Sequence, residues 1–188
     1  MEKYISKGIE LYLAKTALTV SNLPSDSQTV YQDYVTFMEM EDFLGGLNTQ
    51  LGHLIPDVQE IGDLAAGASA ERDKIEVTTL ADDKHVFTDG LLTDAEYDSI
   101  DFTMLYTPKV YKAILNMIDI EKSLSQHGFK NTYKVVVPNL DNDKVTVFTI
   151  KGSTAVKFNG VAVNGALTMT LTVTPKEEIA FDNEVVKA

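Results

Sequence analysis

The chain has 188 residues, with 16 Lys and Arg against 28 Asp and Glu, giving a formal charge of −12. That length suits one domain with a substantial core, and 44% apolar with 23% charged residues is a globular, not a disordered, composition. The lack of cysteine excludes disulfides, thiolate nucleophiles, Cys-based zinc sites and iron–sulfur clusters, while the acidity and the single arginine, Arg72, count against phosphate-gripping nucleic-acid recognition.

Met1 to Gly8 holds two lysines with no apolar run behind them, so a secretory leader is not expected. No window approaches the roughly 18 apolar residues of a membrane helix, and the expected compartment is the cytoplasm of synthesis. Ile9, Leu11 and Leu13 alternate as in a half-buried strand. Ser21 to Gln28 is rich in turn formers, and Tyr34 to Met40 reads as strand again until Gly45-Gly46 breaks it. From about 45 to 72 the periodicity is weak and a small-residue run, Ala65 to Ala70, intervenes; this predicts a long acidic loop of functional or partner-ordered kind.

The second half is more regular. Lys74 to Leu80 alternates, Ala81-Asp82-Asp83 turns, and His85 to Thr88 returns. Ile100, Phe102, Met104 and Tyr106 share one face of a strand. Thr107-Pro108 then supplies an N-cap and a first-turn proline, and Tyr111, Ile114, Leu115 and Ile118 give helical spacing, predicting one helix over about 108–126 with Gly128 as its stop. Strands follow over 133–137, 144–150, 154–158 and 167–174, with Asn159-Gly160 and Asn164-Gly165 as hairpin-type turn dipeptides. Many short strands and one inserted helix predict a mainly β fold, a sandwich or barrel with one flanking α-helix, in a single domain over 1–188. Within it the helix lies on the outer side and the 100–106 strand contributes to the core.

The residues offer no catalytic constellation. His53, His85 and His127 stand alone, without metal-ligand spacing. Asp82-Asp83 and Asp141-Asn142-Asp143 lack the glycine and distal glutamate of a calcium loop, and the stretch Gly62 to Gly67 lacks dinucleotide-binding spacing. No nucleophile-elbow serine occurs, and Glu39 with Glu41 reads as a solvated strand face before it reads as an acid–base pair. The expectation is a protein that is not an enzyme and needs no cofactor. One distribution stands apart: between Lys15 and Arg72 there is no basic residue, while Asp26, Asp33, Glu39, Glu41, Asp42, Asp57, Glu60, Asp63 and Glu71 are all acidic. Such a stretch is either a solvated, solubilising surface or one that meets a basic partner or repels a polyanion.

Four stretches resemble the major tail (tail tube) proteins of long, non-contractile-tailed bacteriophages. Leu54 to Gly62 leading into Asp73 to Asp82 is similar to that family's I-P-x-I-G segment and I-E-V-T-T-L-x-D strand. Thr88 to Leu91 resembles its short x-x-G-L element, Ile100 to Thr107 its strand entering the helix, and Phe158 to Pro175 its C-terminal hairpin. The similarity spans about residues 50–182, and the Asp63–Glu71 stretch is longer than the family pattern. The resemblance implies a tail-tube-like β-sandwich with a long loop and terminal arms, forming hexameric rings that stack into a tube. It further implies partnership with tape-measure, tail-terminator and distal tail proteins, a place in the virion after assembly in the host cytoplasm, and passage of genome DNA without specific binding. On it, Glu39, Glu41, Asp42, Asp57, Glu60 and Asp63 become candidates for the lumen or the ring-to-ring contact. A head–tail connector or terminator ring is the near alternative, and an Ig-like surface or adhesin domain is the alternative of a different class.

Overall fold

The computed structural model describes the backbone of residues 8–62, 74–81, 85–92, 97–138, 144–161 and 165–186, and side chains for 8–62, 97–138, 144–160 and 165–182. Its elements run β1 (Glu10–Ala14), α1 (Ser25–Glu39), β2 (Leu47–Asn48), β3 (Gly52–Ile55), β4 (Val58–Ile61), β5 (Lys74–Ala81), β6 (His85–Leu92), β7 (Ile100–Leu105), α2 (Pro108–Leu124), β8 (Asn131–Pro138), β9 (Lys144–Val161), β10 (Leu167–Pro175) and β11 (Ala180–Val186). The fold is mainly β, as the alternation predicts. All pairings are antiparallel, in the order β2-β3-β1-β8-β9-β10-β7-β4, with β11 alongside β9 and β5-β6 as a separate two-stranded ribbon.

Two features curl this sheet. Strands β3 and β4 are joined by Pro56-Asp57 alone, yet β3 pairs with β1 and β4 pairs with β7, near opposite ends of the strand path. A two-residue link spans only ~7 Å, so the ends must lie close together. The tight link takes Asp57 into the left-handed region, at φ 60°. The seam itself carries no β3–β4 pairing, so the sheet is rolled but not a closed barrel. The second feature is the 18-residue β9, which pairs with β8 and β11 through its first half and with β10 from Gly152 onward. At Gly152 a side chain would collide with the carbonyl oxygen of Thr174, so only glycine lets β9 serve both halves there.

Strands expected separately at 144–150 and 154–158 are therefore one, and Asn159-Gly160 does not close a hairpin. It is a bulge within β9, where Val161 pairs with Leu167 but Phe158 with Met169. Gly160 takes φ 76°, and Asn159 Nδ2 donates to Thr168 and Thr170 hydroxyls at 3.3 and 2.9 Å, pinning the extra residue.

The largest departure from the sequence reading is α1. The turn-rich stretch and the strand expected at 34–40 are a 15-residue helix, so among the described residues two α-helices accompany the sheet instead of one. Its core face is Tyr31, Tyr34 and Met38 at i, i+3 and i+7, and Asp26 sits favourably in the first turn. The tyrosines also serve the irregular connection after β1: Tyr34 Oη accepts Thr16 N–H at 2.7 Å, and Tyr31 Oη accepts Leu18 N–H at 3.1 Å. Backbone groups that no strand pairs are thereby satisfied from the helix.

Helix α2 begins as expected, with Thr107 at the cap position and Pro108 in the first turn, although the Thr107 side chain makes no capping bond. After a 3-10 turn over Ser125–His127, Gly128 stops it at φ 78°. Its buried face is Val110, Ala113, Ile114, Met117, Ile120 and Leu124, packed toward α1 and β9. Leu115, expected on that face, points to solvent. Ile100, Phe102 and Met104 of β7 enter the same core, as their alternation requires.

The long loop expected over 45–72 is a second correction. Residues 47–61 form β2, β3 and β4, short strands whose length is below what periodicity can reveal, and the remaining 63–72 lie outside the described residues. The C-terminal stretch to Val186, expected as an arm, adds β11 to the sheet, while residues 1–7 lie outside the described ones.

Candidate interaction surfaces

A buried polar node ties α2 to the bend of β9. Thr154 lies two residues past Gly152, where β8 has ended, so among the described residues its N–H has no strand to pair with, and Glu121 Oε1 accepts it at 3.1 Å. The other oxygen accepts Asn131 Nδ2 at 2.8 Å, and the Thr154 hydroxyl meets Tyr133 Oη at 2.8 Å. Burial holds the Glu121 carboxyl above its ordinary range, although both hydrogen bonds favour its charged form; burial likewise pushes the Tyr133 phenol up.

Two consequences are measurable. Glu121→Ala strands the Thr154 N–H and removes one of three acceptors from Asn131 Nδ2, lowering unfolding free energy by ~1–3 kcal/mol in urea melts. A carboxyl raised in the fold binds its proton more tightly there than in the unfolded chain, so its stabilising contribution is full below its ordinary pKa and falls as pH rises through the raised one. Glu121→Gln removes that loss, and its stability relative to wild type therefore rises between pH 4 and pH 7.

The predicted acidic residues sit on different elements. Glu39 ends α1 and pairs with Lys15 at 3.5 Å; Glu41 and Asp42 are exposed in the turn after it, so Glu39 and Glu41 do not share a strand face. Asp57 is in the β3–β4 link and Glu60 on β4, both exposed at the seam where the ends of the strand path meet. Asp63 lies outside the described residues. The histidines are scattered. His53 is buried and donates from Nε2 to the Met38 carbonyl at 2.8 Å, His127 lies 3.2 Å from the Ser27 hydroxyl, and His85 opens β6. Among the described residues no three His, Asp or Glu side chains lie together as metal ligands, and no helix is long and apolar enough to cross a membrane.

Three surfaces were not foreseen. The first is an open groove of about 770 Å³ on the outer face of β8 and β9, floored by Thr132, Lys134, Thr149 and Lys151 and walled by the β2–β3 turn and by Lys15 and Glu39. Its floor follows from register: Thr132 pairs with Lys151 and Lys134 with Thr149, so two lysines occupy diagonal positions on one face. The period-two Thr-x-Lys repeats at 132–134 and 149–151 were the available signal. The second is an apolar patch at the far end of the β7-β10-β9 portion, where Leu105, Leu167 and Phe158 are exposed and Tyr106 stacks edge-on against Phe158 at 5.1 Å. The third is backbone. Among the described residues, the edge of β9 away from β10 bears no strand beyond Gly152, and β4 is an edge along its whole length.

No protein-family model matches the chain, and no curated protein matches it. Among solved structures, the chain is similar to a cryo-EM structure of the anti-feeding prophage cap, a tube-terminating cap, at 10% identity and a TM-score of 0.43, over 70% of this chain and 83% of that one. A likeness of that size assigns neither family nor function.

Proposed function

We propose that this chain is a structural, non-enzymatic subunit of a phage tail tube, needing no cofactor. Six copies form a ring, rings stack, and the tube, built with tape-measure, terminator and distal tail proteins, carries genome DNA out of the virion. The observation that carries the reading is the β5–β6 ribbon. Its eight paired positions bond only to each other among the described strands, and the segment that most resembles the tail-tube pattern, Ile75 to Asp82, lies largely on β5. A two-stranded ribbon alone is marginal in water, so it calls for a surface beyond its own pairing. The open edges of β4 and β9 call equally for partners, since uncovered edges invite association. In the tube, the ribbon bridges between subunits, and acidic residues such as Glu41, Asp42 and Asp57 keep DNA from sticking wherever they face the lumen.

The ribbon supplies the test. Replacing residues 74–92 by a short Gly/Ser linker leaves a monomer that melts cooperatively but no longer forms the concentration-dependent assemblies of the wild type in size-exclusion chromatography with light scattering. Assembly equal to wild type without the ribbon counts against this role. Rings that never stack point to the connector or terminator alternative.

A further inference from the structure

The lysine groove is unusual in so acidic a chain, and each ammonium in it is only loosely engaged. Lys15 meets Glu39 at 3.5 Å and Lys151 meets Glu177 at 3.7 Å, with all four side chains about half exposed or more. Lys134 Nζ donates to the Gln50 carbonyl at 3.1 Å, and no carboxylate pairs with it among the described residues. Exposed ion pairs contribute little and exchange readily, so a carboxylate from outside can take the place of Glu39 or Glu177 like for like and add a partner for Lys134.

The same chain carries the complementary surface. At the β4 end of the strand path, Glu60 is exposed beside Thr103, with Asp98 and Asp101 exposed at the start of the adjoining β7, where Asp101 accepts the Thr172 hydroxyl at 2.6 Å; Asp57 is exposed beside Leu105, toward the other end of β7. The groove lies on β8 and β9 and the acidic edge on β4 and β7, so the two surfaces are distinct. Complementary patches at different places on one chain meet head to tail, which closes into a ring or runs into a filament. Nucleic acid fits the groove less well. No arginine lines it to grip phosphate bidentately, and the surrounding charge repels a polyanion.

We propose that the groove lined by Lys15, Lys134 and Lys151 receives the acidic β4–β7 edge of a second copy of this chain. The contact rests on the reading of the chain as a ring-forming subunit, and supplies that reading with its lateral interface.

The test uses full-length K134E/K151E and D98K/D101K, each checked for a wild-type melting profile. Either variant alone associates ~30-fold or more weakly than wild type in sedimentation velocity, because like charges now face each other. An equimolar mixture recovers to within ~3-fold, since each reversed groove then meets a reversed edge, and the wild-type association weakens as salt rises from 0.1 to 1 M. Zero-length carbodiimide coupling of wild type joins Lys134 or Lys151 to Glu60, Asp98 or Asp101 between copies. Variants that associate as wild type does, a mixture without rescue, or cross-links elsewhere overturn the contact while leaving the ring reading intact. A wild type that stays monomeric defeats the ring reading and the contact with it. Duplex DNA retained by wild type and lost in K134E/K151E reassigns the groove to nucleic acid.

Discussion

Aspartate in place of Ile114 unfolds the protein, and aspartate in place of its neighbour Leu115 does not. Ile114 is 2% exposed in the core between α2, α1 and the sheet, whereas Leu115 is 39% exposed one position round the helix. An unpaired carboxylate among Met117, Val110 and their neighbours costs several kcal/mol, and the lost isoleucine burial adds ~2–3 kcal/mol. Together these rival the ~5–15 kcal/mol by which a domain of this kind is stable. At Leu115 the change is at most a small loss of helix propensity, within ~1 kcal/mol. Circular dichroism and urea melts separate the two: no cooperative transition for I114D, and a near-native midpoint for L115D. A wild-type midpoint for I114D contradicts the placement of α2.

The second large effect is at Tyr34, whose side chain is wholly buried. Its ring meets Phe129 edge-on at 5.0 Å and lies 5.8 Å from Tyr31, and its hydroxyl accepts the Thr16 N–H. Tyr34→Ala removes the ring from the centre of the α1 contact and is expected to cost ~3–5 kcal/mol. Tyr34→Phe keeps the packing but strands the Thr16 donor, for ~1–2 kcal/mol. Denaturant midpoints should therefore fall in the order wild type, Y34F, Y34A, with the larger step between the two variants. A negligible loss in Y34A contradicts the helical assignment of Ser25–Glu39, since on an edge strand this residue has no such cavity to leave.

Where one physical rule acts alone, the sequence was sufficient. Ile100, Phe102 and Met104 alternate because β7 has one wet face, and Pro108 with Gly128 brackets the α2 region because backbone geometry demands it. Helix α1 is hidden in the sequence because Val30, Tyr31, Tyr34, Val35 and Phe37 carry strand propensity. The 3.6-residue spacing of Tyr31, Tyr34 and Met38 prevails once Tyr34 packs on Phe129 and the two tyrosine hydroxyls accept the Thr16 and Leu18 N–H groups. Strands β2, β3 and β4 have two to four residues each, too few for a period, and exist because β1 and β7 offer edges to pair with. The acidic half of the candidate surfaces was visible as a gap in basic residues. The lysine groove was not, because Lys15, Lys134 and Lys151 meet only through the β1-β8-β9 pairing across more than a hundred residues of chain.

Self-assembly is the claim on which the functional reading turns, and electron microscopy of the purified full-length chain over a concentration series tests it most directly. Rings of one regular diameter, stacking into tubes as concentration rises, are the expected images. A chain that remains a dispersed monomer at every concentration, and also when tail proteins are added, contradicts it.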